Sequence, residues 1–275
     1  GVGKRVTCGD CGGVGKHTNF VFNLNSKPQL ADVLYNGLKL PRRSNHGKTT
    51  VEEVRGRVPV IAGIITDSTA SAVERGLAVK DLGVAALQVT PVHYLFRPDD
   101  DAMLKHFDTL ASRTGLPIII YNVVPWTYLS PALLARILAS VPGVVGVKQS
   151  AGDMKLLADL LLLVGDGARI MTAVDALLYP SFALGAHGAI AAILTAAPTL
   201  CVALWDAVQA GDHKQALALH EKLLPIWNAL SHDNLPANVK HCQELQGRAA
   251  GGPRAPMPAT SPAQASAIRA ALHHA

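Results

Sequence analysis

From residue 57 onward the chain repeats one pattern: a short apolar run, a turn, and a segment whose apolar residues recur at helical spacing. This alternation is typical of βα units that build a parallel sheet. The runs are apolar nearly throughout, which predicts strands that are covered on both faces. Six strands are predicted, over residues 58–64, 85–90, 116–123, 144–149, 169–174 and 188–194.

The segments between these runs carry the start signals of helices. Ser130 and Pro131 precede an apolar stripe, so a side-chain cap is followed by proline at the first helical position. Asp153 stands in the same place before a second, leucine-rich stripe. Further helices are predicted over residues 69–81, 100–113, 198–210, 213–230, 235–246 and 262–273.

The ends of the predicted strands recur every 27 to 31 residues. This is about the length of one βα unit in an eight-stranded barrel. We therefore predict an α/β fold, a (β/α)8 TIM barrel with extra C-terminal helices, in which residues 51–210 form the barrel body and residues 211–275 a helical extension. A doubly wound open sheet would show the same alternation and stays the alternative, although no glycine-rich fingerprint follows the strands.

The first 50 residues fit this pattern poorly. A complete barrel needs two more strands there, but VTCGDCGG and TNFVFNLN are weak candidates, so we expect the first two βα units to be degenerate. A phosphate-binding loop is also excluded, because His17 follows Lys16 where serine or threonine is required. Residues 1–57 contain ten basic and four acidic side chains, so residues 1–50 form an atypical basic segment.

Composition narrows the function further. A net charge of +5 would suit an anionic partner, but the chain lacks the motifs of a nucleic-acid binder, and we expect no nucleic-acid partner. The longest apolar stretch is broken by Thr195, Pro198 and Thr199, which argues against a membrane span.

Four cysteines without a disulfide-dense pattern suggest a reducing, cytoplasmic setting. The Cys8/Cys11 pair and the isolated histidines do not make a metal site, so no metal is expected.

Polar residues stand at the C-terminal ends of the predicted strands, where the functional groups of a barrel collect. Tyr121 and Lys148 end consecutive strands, and adjacent strands lie roughly 4.8 Å apart, so the phenol and the amine come within reach of proton transfer. A lysine in an apolar pocket has a lowered pKa and can attack a carbonyl group. The alternative is that the pair has no catalytic role. Lys148 would then be a surface lysine or form an ion pair with Asp175, and Tyr121 would serve only in packing.

The segment IIIYNVVP, followed one βα unit later by GVVGVKQSAGD and preceded by GRVPVIAG and QVTP, resembles the dihydrodipicolinate synthase and N-acetylneuraminate lyase family of class I, Schiff-base aldolases. The resemblance covers residues 51–275. It implies a barrel enzyme that condenses pyruvate or another 2-oxo acid with an aldehyde, runs the reverse or dehydrates a 2-oxo acid, without a cofactor. It also implies a homo-oligomer, either a tetramer or a dimer. Lys148 would form the imine and Tyr121 would relay protons.

The resemblance also indicates the rest of the site. The family often has a tyrosine just after the T-P of the fourth strand, which reaches into the site of a neighbouring subunit. In this chain that role falls to Tyr94. The family binds the pyruvate carboxylate with a G-T-T-G-E type loop after the second strand. That loop is missing here as such, although GKTTVEE has the threonines, and the nine positions between Thr49 and Val58 are too few for the helix that should follow. The expected substrate-binding residues are Thr90, His93, Trp126, Asp175, Thr49 and Thr50.

Departures from the family pattern bear on the second substrate. Dihydrodipicolinate synthases usually have an arginine after Y-N-V-P, where this chain has Trp126 and Tyr128, and sialic acid lyases have a glutamate after the counterpart of Asp175. We therefore expect neither a typical dihydrodipicolinate synthase nor a sialic acid lyase, and an apolar or aromatic second substrate. Because residues 1–50 do not match the family, a catalytically impaired barrel with a binding or assembly role is the alternative.

Overall fold

A computed structural model describes residues 50–275 of the chain. Its five strands are parallel and lie in one sheet in the order in which they occur along the chain. Each of the first five predicted runs therefore contains a strand, while the first two βα units of the predicted barrel lie outside the described residues. The strands are β1 (Ile61–Ile64), β2 (Ala86–Val89), β3 (Ile118–Asn122), β4 (Val144–Gln149) and β5 (Arg169–Thr172).

The sixth predicted strand is reduced to a single parallel bridge between Thr172 and Ala189. The predicted run over 188–194 ends early because a short helix begins at Ile193, where the backbone N–H donates to the carboxylate of Asp175 at 2.7 Å. The prediction of a strand through residue 194 was therefore wrong. An apolar run alone does not reveal a helix start that depends on a distant carboxylate.

Helices connect the strands across the outer face of the sheet and continue after β5 as a helical extension. The shortest, with four to six residues, were not predicted, because so few residues give no periodic signal. The helices are α1 (Thr50–Val54), α2 (Thr69–Lys80), α3 (Asp100–Thr114), α4 (Pro131–Ser140), α5 (Met154–Val164), α6 (Leu178–Ala183), α7 (Ile193–Ala196), α8 (Pro198–Gln209), α9 (His213–Leu230), α10 (Leu235–Leu245) and α11 (Pro262–His273). Single 3-10 turns lie at Pro125–Thr127, Gly165–Gly167 and Asp175–Leu177.

Two of the predicted helix caps are confirmed. The hydroxyl of Ser130 accepts a hydrogen bond from the backbone N–H of Leu133 at 3.2 Å, and the carboxylate of Asp153 accepts one from Lys155 at 2.8 Å. Both bonds satisfy N–H groups that the first turn of a helix leaves without a partner. They fix the points at which α4 and α5 leave the sheet.

Three apolar clusters hold the fold together. The first packs the outer face of the sheet, with Leu87 and Val147 among its buried residues, against α1 to α5. The second joins α6 to α11 around Leu204 and Ile226. The third lies on the inner face of the sheet, and we call it the floor cluster; it consists of Ile61, Ala86, Ile119, Met171 and Ile190.

Two features are absent from residues 50–275. None of the helices described there combines the length and the apolar character that a membrane crossing requires. The same residues contain no group of three or more His, Cys, Asp or Glu side chains placed to hold a metal ion.

Candidate active site

Tyr121 and Lys148 lie side by side on the inner face of the sheet. Strands β3 and β4 pair with Ile119 opposite Gly146 and Tyr121 opposite Lys148. Because alternate residues of a strand share a face, Tyr121 lies on the same face as Ile119 of the floor cluster, and Lys148 is paired on its other side with Met171 of that cluster. The amine nitrogen of Lys148 lies 3.7 Å from the centroid of the Tyr121 ring. The structure thus brings the phenol and the amine together.

Gly146 allows β4 and β5 to approach each other closely just below this pair. A Cβ atom at this position would collide with the backbone carbonyl oxygen of Arg169 on β5. Only a residue without a side chain fits here while the two strands stay hydrogen bonded. The position of Lys148, two residues further along, depends on this contact.

Burial controls the charge of Lys148. The side chain is only 6% exposed, and this burial lowers the pKa of the amine to about 8, while the carboxylate of Asp175 acts in the opposite direction. A substantial fraction of the amine is therefore neutral in mildly alkaline solution, and the neutral amine is the nucleophile. The face of the Tyr121 ring attracts a cation, so it stabilises the ammonium and would equally stabilise an iminium at the same nitrogen.

Asp175 is the carboxylate that acts on Lys148. It lies in the 3-10 turn after β5, and one of its oxygens accepts the hydrogen bond from Ile193 that begins α7. Burial raises the pKa of this carboxyl group to about 6, against the opposing influence of backbone hydrogen bonds and of Lys148. Above that pH the group supplies a negative charge at a position fixed by the fold.

The phenol of Tyr121 is held in its protonated form. Burial raises its pKa, the charges of Asp175 and Tyr128 add to this effect, and Ser150 opposes it. A phenol that keeps its proton at neutral pH can donate it to a developing alkoxide and recover it later. These properties suit a proton relay.

Two carboxamide side chains hold the loop after β3 in place. They are Asn122, directly after Tyr121, and Gln149, directly after Lys148, and both lie on the outer face of the sheet. The amide of Asn122 donates to the carbonyl of Leu129 at 3.1 Å and accepts from its N–H at 2.9 Å. Its amide nitrogen also donates to the Gln149 side-chain oxygen at 3.2 Å. Neither residue was predicted, although the sequence carries a signal: a carboxamide side chain directly follows Tyr121 and Lys148 at the ends of their strands.

Three further predicted residues lie at the ends of β2 and β3. Thr90 is 2% exposed, and its hydroxyl has no hydrogen-bond partner among the described residues. Trp126 is largely exposed and donates its indole N–H to the backbone carbonyl of His93 at 2.8 Å. His93 and Trp126 therefore join two neighbouring loops, and neither of them forms a described hydrogen bond with Tyr121 or Lys148.

The structure does not bring Tyr94 into contact with this pair. Tyr94 is 60% exposed on the loop after β2 and forms no hydrogen bond with any described residue. The apolar side chains of Leu95 and Phe96, which follow it, are also exposed. Thr50 is the first residue of α1, and Thr49 lies outside the described residues.

Arg97 is a basic residue near the site that was not among the predicted site residues. It lies on the loop after β2, and its guanidinium donates to the carbonyl oxygen of Tyr128 on the loop after β3 at 3.4 Å. The prediction of the second substrate considered an arginine only after the Y-N-V-P pattern, on the loop after β3. Loops from neighbouring strands meet at the same end of a parallel sheet, so a cation from one loop can serve the site beside the other.

Comparison with known proteins assigns the family. Residues 42–275 match the family described as the dihydrodipicolinate synthetase family. The chain belongs to this family. A 4-hydroxy-tetrahydrodipicolinate synthase from Bradyrhizobium diazoefficiens is 35% identical over 228 residues, which cover 82% of this chain and 76% of that protein.

Two solved structures of family members are similar over the same extent. The chloride-inhibited dihydrodipicolinate synthase from Acinetobacter baumannii, complexed with pyruvate, is 27% identical with a TM-score of 0.75, covering 82% of this chain and 77% of that one. The dihydrodipicolinate synthase from Aquifex aeolicus is 26% identical with a TM-score of 0.74 and the same coverage. The fold is thus that of a TIM barrel, as predicted, and the parallel sheet described above is part of it.

Membership also fixes the class of chemistry. Proteins of the dihydrodipicolinate synthetase family are class I, pyruvate-dependent aldolases or lyases that act through a Schiff base. They use a small-molecule substrate and are typically oligomeric. The predictions of the family and of a Schiff-base lyase are therefore confirmed.

The expectation of an atypical family member was wrong. Relatives from Bradyrhizobium diazoefficiens, Methanopyrus kandleri and Thermomicrobium roseum, 34 to 35% identical to this chain, all carry the name 4-hydroxy-tetrahydrodipicolinate synthase. The expectation rested on Trp126 and Tyr128 in place of one arginine. That single position was given too much weight, since Arg97 brings a guanidinium to the same loop from the neighbouring strand end.

Proposed function

We propose that this protein is a 4-hydroxy-tetrahydrodipicolinate synthase, which joins pyruvate to an anionic aldehyde such as aspartate semialdehyde through an imine on Lys148. The observation that carries the proposal is the buried Lys148 amine, with its pKa lowered to about 8, held 3.7 Å from the centre of the Tyr121 ring. The names of the relatives support the same reaction.

The first half of the reaction takes place at the amine. The neutral nitrogen of Lys148 attacks the C2 carbonyl of pyruvate to form a carbinolamine, and loss of water gives a protonated imine. Loss of a proton from C3 then gives an enamine, whose electrons come from the C–H bond. Tyr121 relays the protons that these steps move, because its raised pKa keeps the phenol protonated between transfers.

The second half forms the carbon–carbon bond. C3 of the enamine attacks the aldehyde carbon, the aldehyde oxygen takes up a proton, and the imine re-forms at C2. Water then adds to the imine carbon, which regenerates the 2-oxo group of the product and frees the amine of Lys148. We assign the aldehyde to the space between the loops after β2 and β3, where Trp126 bonds to His93 and Arg97 to Tyr128. A guanidinium there pairs with the carboxylate of the aldehyde.

Assembly and location complete the proposal. We assign Tyr94 to the site of a neighbouring copy in a homo-oligomer, a tetramer or a dimer, which its 60% exposure on the loop after β2 supports. Thr49 and Thr50 are assigned to the pyruvate carboxylate. A cytoplasmic location is supported by Cys201 and Cys242, which are free thiols.

Trapping of the imine tests the role of Lys148. Borohydride reduction in the presence of pyruvate adds the mass of the reduced pyruvyl group, and peptide mapping by mass spectrometry locates it. We expect the label on Lys148, and we expect Lys148→Ala to abolish trapping and synthase activity while the far-UV circular dichroism stays unchanged. Lys155→Ala, at an exposed lysine on α5, is the matched control and should trap normally. A wild-type protein that does not trap pyruvate would instead indicate the binding or assembly role.

A further inference from the structure

The helical extension contains a cavity that the reaction at Lys148 does not use. Its volume is about 670 Å³, which lies in the range of pockets that hold small molecules. The start of α8 and residues of α9, α10 and α11 border it. None of the described residues that line it is one of the candidate site residues.

The polar part of this cavity is cationic. Arg248, Arg269 and His273 border it, whereas no Asp or Glu side chain among the described residues does. Arg269 and His273 are four positions apart on α11, so their side chains lie on the same face of that helix. A cavity lined by charges of one sign attracts a ligand of the opposite sign.

The two guanidinium groups are held differently. That of Arg248 donates to the carbonyls of Thr195 and Ala196 at 2.9 and 2.7 Å, which fixes its charge beside the cavity. That of Arg269 is exposed and has no hydrogen bond or ion pair with any residue in the range 50–275. One guanidinium is thus available for a single negative charge, and its planar fork matches the two oxygens of a carboxylate.

The first turn of α8 adds donors at the same cavity. The residue in the N-cap position is Ala197, so no side chain caps this helix. The backbone N–H groups of Thr199 and Leu200 therefore have no side-chain acceptor, and both residues border the cavity. The positive end of the dipole of this 12-residue helix acts in the same direction as Arg269.

Apolar side chains form the opposite part of the lining. Leu200, Leu245 and Leu272 are half-buried and pack against the second apolar cluster, to which Ile226 belongs. Contact with an apolar ligand would remove the exposed parts of these side chains from water, which is favourable. The lining therefore suits a molecule that combines one negative charge with an apolar body.

We propose that this cavity is a binding site for a small carboxylic acid with an apolar body. The carboxylate pairs with Arg269 near the start of α8, and the apolar part lies against Leu200, Leu245 and Leu272. No lysine among the described residues lines the cavity, so the ligand is held there without an imine. The site is thereby separate from the one at Lys148.

Titration calorimetry with a matched pair of probes tests the proposal. The probes are 4-phenylbutyrate and its neutral amide, 4-phenylbutyramide, which share their apolar part. We expect the wild type to bind the carboxylate roughly tenfold more tightly than the amide, because only the carboxylate forms charge-assisted hydrogen bonds with the guanidinium. We expect Arg269→Gln to weaken binding of the carboxylate roughly tenfold while the amide stays within about twofold, and Arg269→Glu to reverse the preference.

Arg113→Gln provides the matched control. Arg113 is an exposed arginine in the last turn of α3, and its replacement should leave the binding of both probes unchanged. Because Arg269 is exposed, its variants should fold, which thermal unfolding without a probe checks. A wild type that binds no carboxylate, or binds it no more tightly than the amide, would overturn the proposal. An affinity for the carboxylate that is the same in the wild type and in both Arg269 variants would overturn it as well.

Discussion

At the scale of single residues, the reactivity of Lys148 is set by two opposing influences. Burial favours the neutral amine and Asp175 favours the ammonium, and the outcome is a pKa of about 8. The carboxyl group of Asp175 has a pKa of about 6, so between these two values both groups are charged. The fraction of neutral amine, and with it the rate of imine formation, rises as the pH increases through about 8.

Replacing the carboxylate should shift this pH dependence. In Asp175→Asn the negative charge that favours the ammonium is lost, so the pKa of Lys148 falls further and the acidic limb of the kcat/KM profile moves to lower pH. The asparagine oxygen can still accept the hydrogen bond from Ile193, which preserves the start of α7. Asp159→Asn, at a surface carboxylate on α5, is the control. A limb that stays in place or moves to higher pH would contradict the assignment.

His106 shows a second effect of burial, on stability instead of chemistry. It is a residue of α3 that faces α2 and is 4% exposed. One of its ring nitrogens lies 2.9 Å from the Thr69 hydroxyl, and the other has no partner among the described residues. Burial lowers its pKa from 6.5 to about 4. The folded state therefore favours the neutral ring, and the unfolded chain takes up a proton at higher pH than the folded one.

This difference predicts a loss of stability in acid. The contribution of His106 is complete above pH 6.5 and is lost as the pH falls toward 4, an effect of about 3 kcal/mol. In His106→Gln, urea unfolding should show a correspondingly smaller decrease between pH 7 and pH 4 than in the wild type. His232→Gln, at an exposed histidine, should behave like the wild type. Equal pH dependence in all three proteins would show that His106 is not responsible.

At the scale of elements, sequence patterns predicted what depends on regular burial. Five strands and the long helices have apolar runs or stripes long enough to identify them, and Tyr121 and Lys148 could be paired because both end such strands. What depends on a single long-range contact was missed. Helix α7 exists at Ile193 because Asp175, far along the chain, binds its first N–H.

The same limit applies to the candidate site. Asn122 and Gln149 act through hydrogen bonds to a loop, and Arg97 through a contact between loops, none of which has a periodic signature. Gln88 was read as part of an apolar strand, although its carboxamide interrupts the inner face. A single polar residue within an apolar strand can therefore mark a functional position, and the pattern of apolar residues alone does not reveal it.

The close contact between β4 and β5 at Gly146 predicts that adding one methyl group there destabilises the protein. Gly146→Ala would force the strands apart at the carbonyl of Arg169, and we expect a loss of about 1–3 kcal/mol in unfolding free energy together with a lower kcat, because Lys148 moves with the strand. Gly167→Ala adds the same methyl group where no atom lies nearby. Urea denaturation and steady-state kinetics compare the two. Equal effects in both variants would refute the packing argument.

At the scale of the whole molecule, the helical extension is bonded to the barrel close to the site. The guanidinium of Arg248 donates to the carbonyls of Thr195 and Ala196 at 2.9 and 2.7 Å, and the amide of Gln246 also donates to Ala196 at 2.8 Å. These carbonyls lie at the C-terminal end of α7. The N-terminal end of the same helix is held by Asp175, so one short helix connects the extension to the carboxylate that acts on Lys148.

Two buried thiols can be used to test the packing of the second apolar cluster, which joins α6 to α11. Cys201 and Cys242 are 1% and 0% exposed, and burial raises the pKa of both thiols, that of Cys242 to about 11. Alkylation requires the thiolate and access to it, so we expect both to react with iodoacetamide only as the protein unfolds in urea. Mass spectrometry of the peptides measures this, and Ser140→Cys supplies an exposed thiol as the control. Rapid labelling of Cys201 or Cys242 without denaturant would show that the second apolar cluster is not packed as described.

The order of strands in the sheet has a consequence for how the protein is made. Strands β1 to β5 lie side by side in the order in which they are synthesised, so each one leaves the ribosome next to an edge that has already formed. Sheet growth then needs only contacts between neighbouring βα units, which keeps the loops to be closed short. Lys148 and Tyr121 lie on two consecutive strands of this sheet, so the pair needs no contact with the helical extension, which follows later in the chain, to come together.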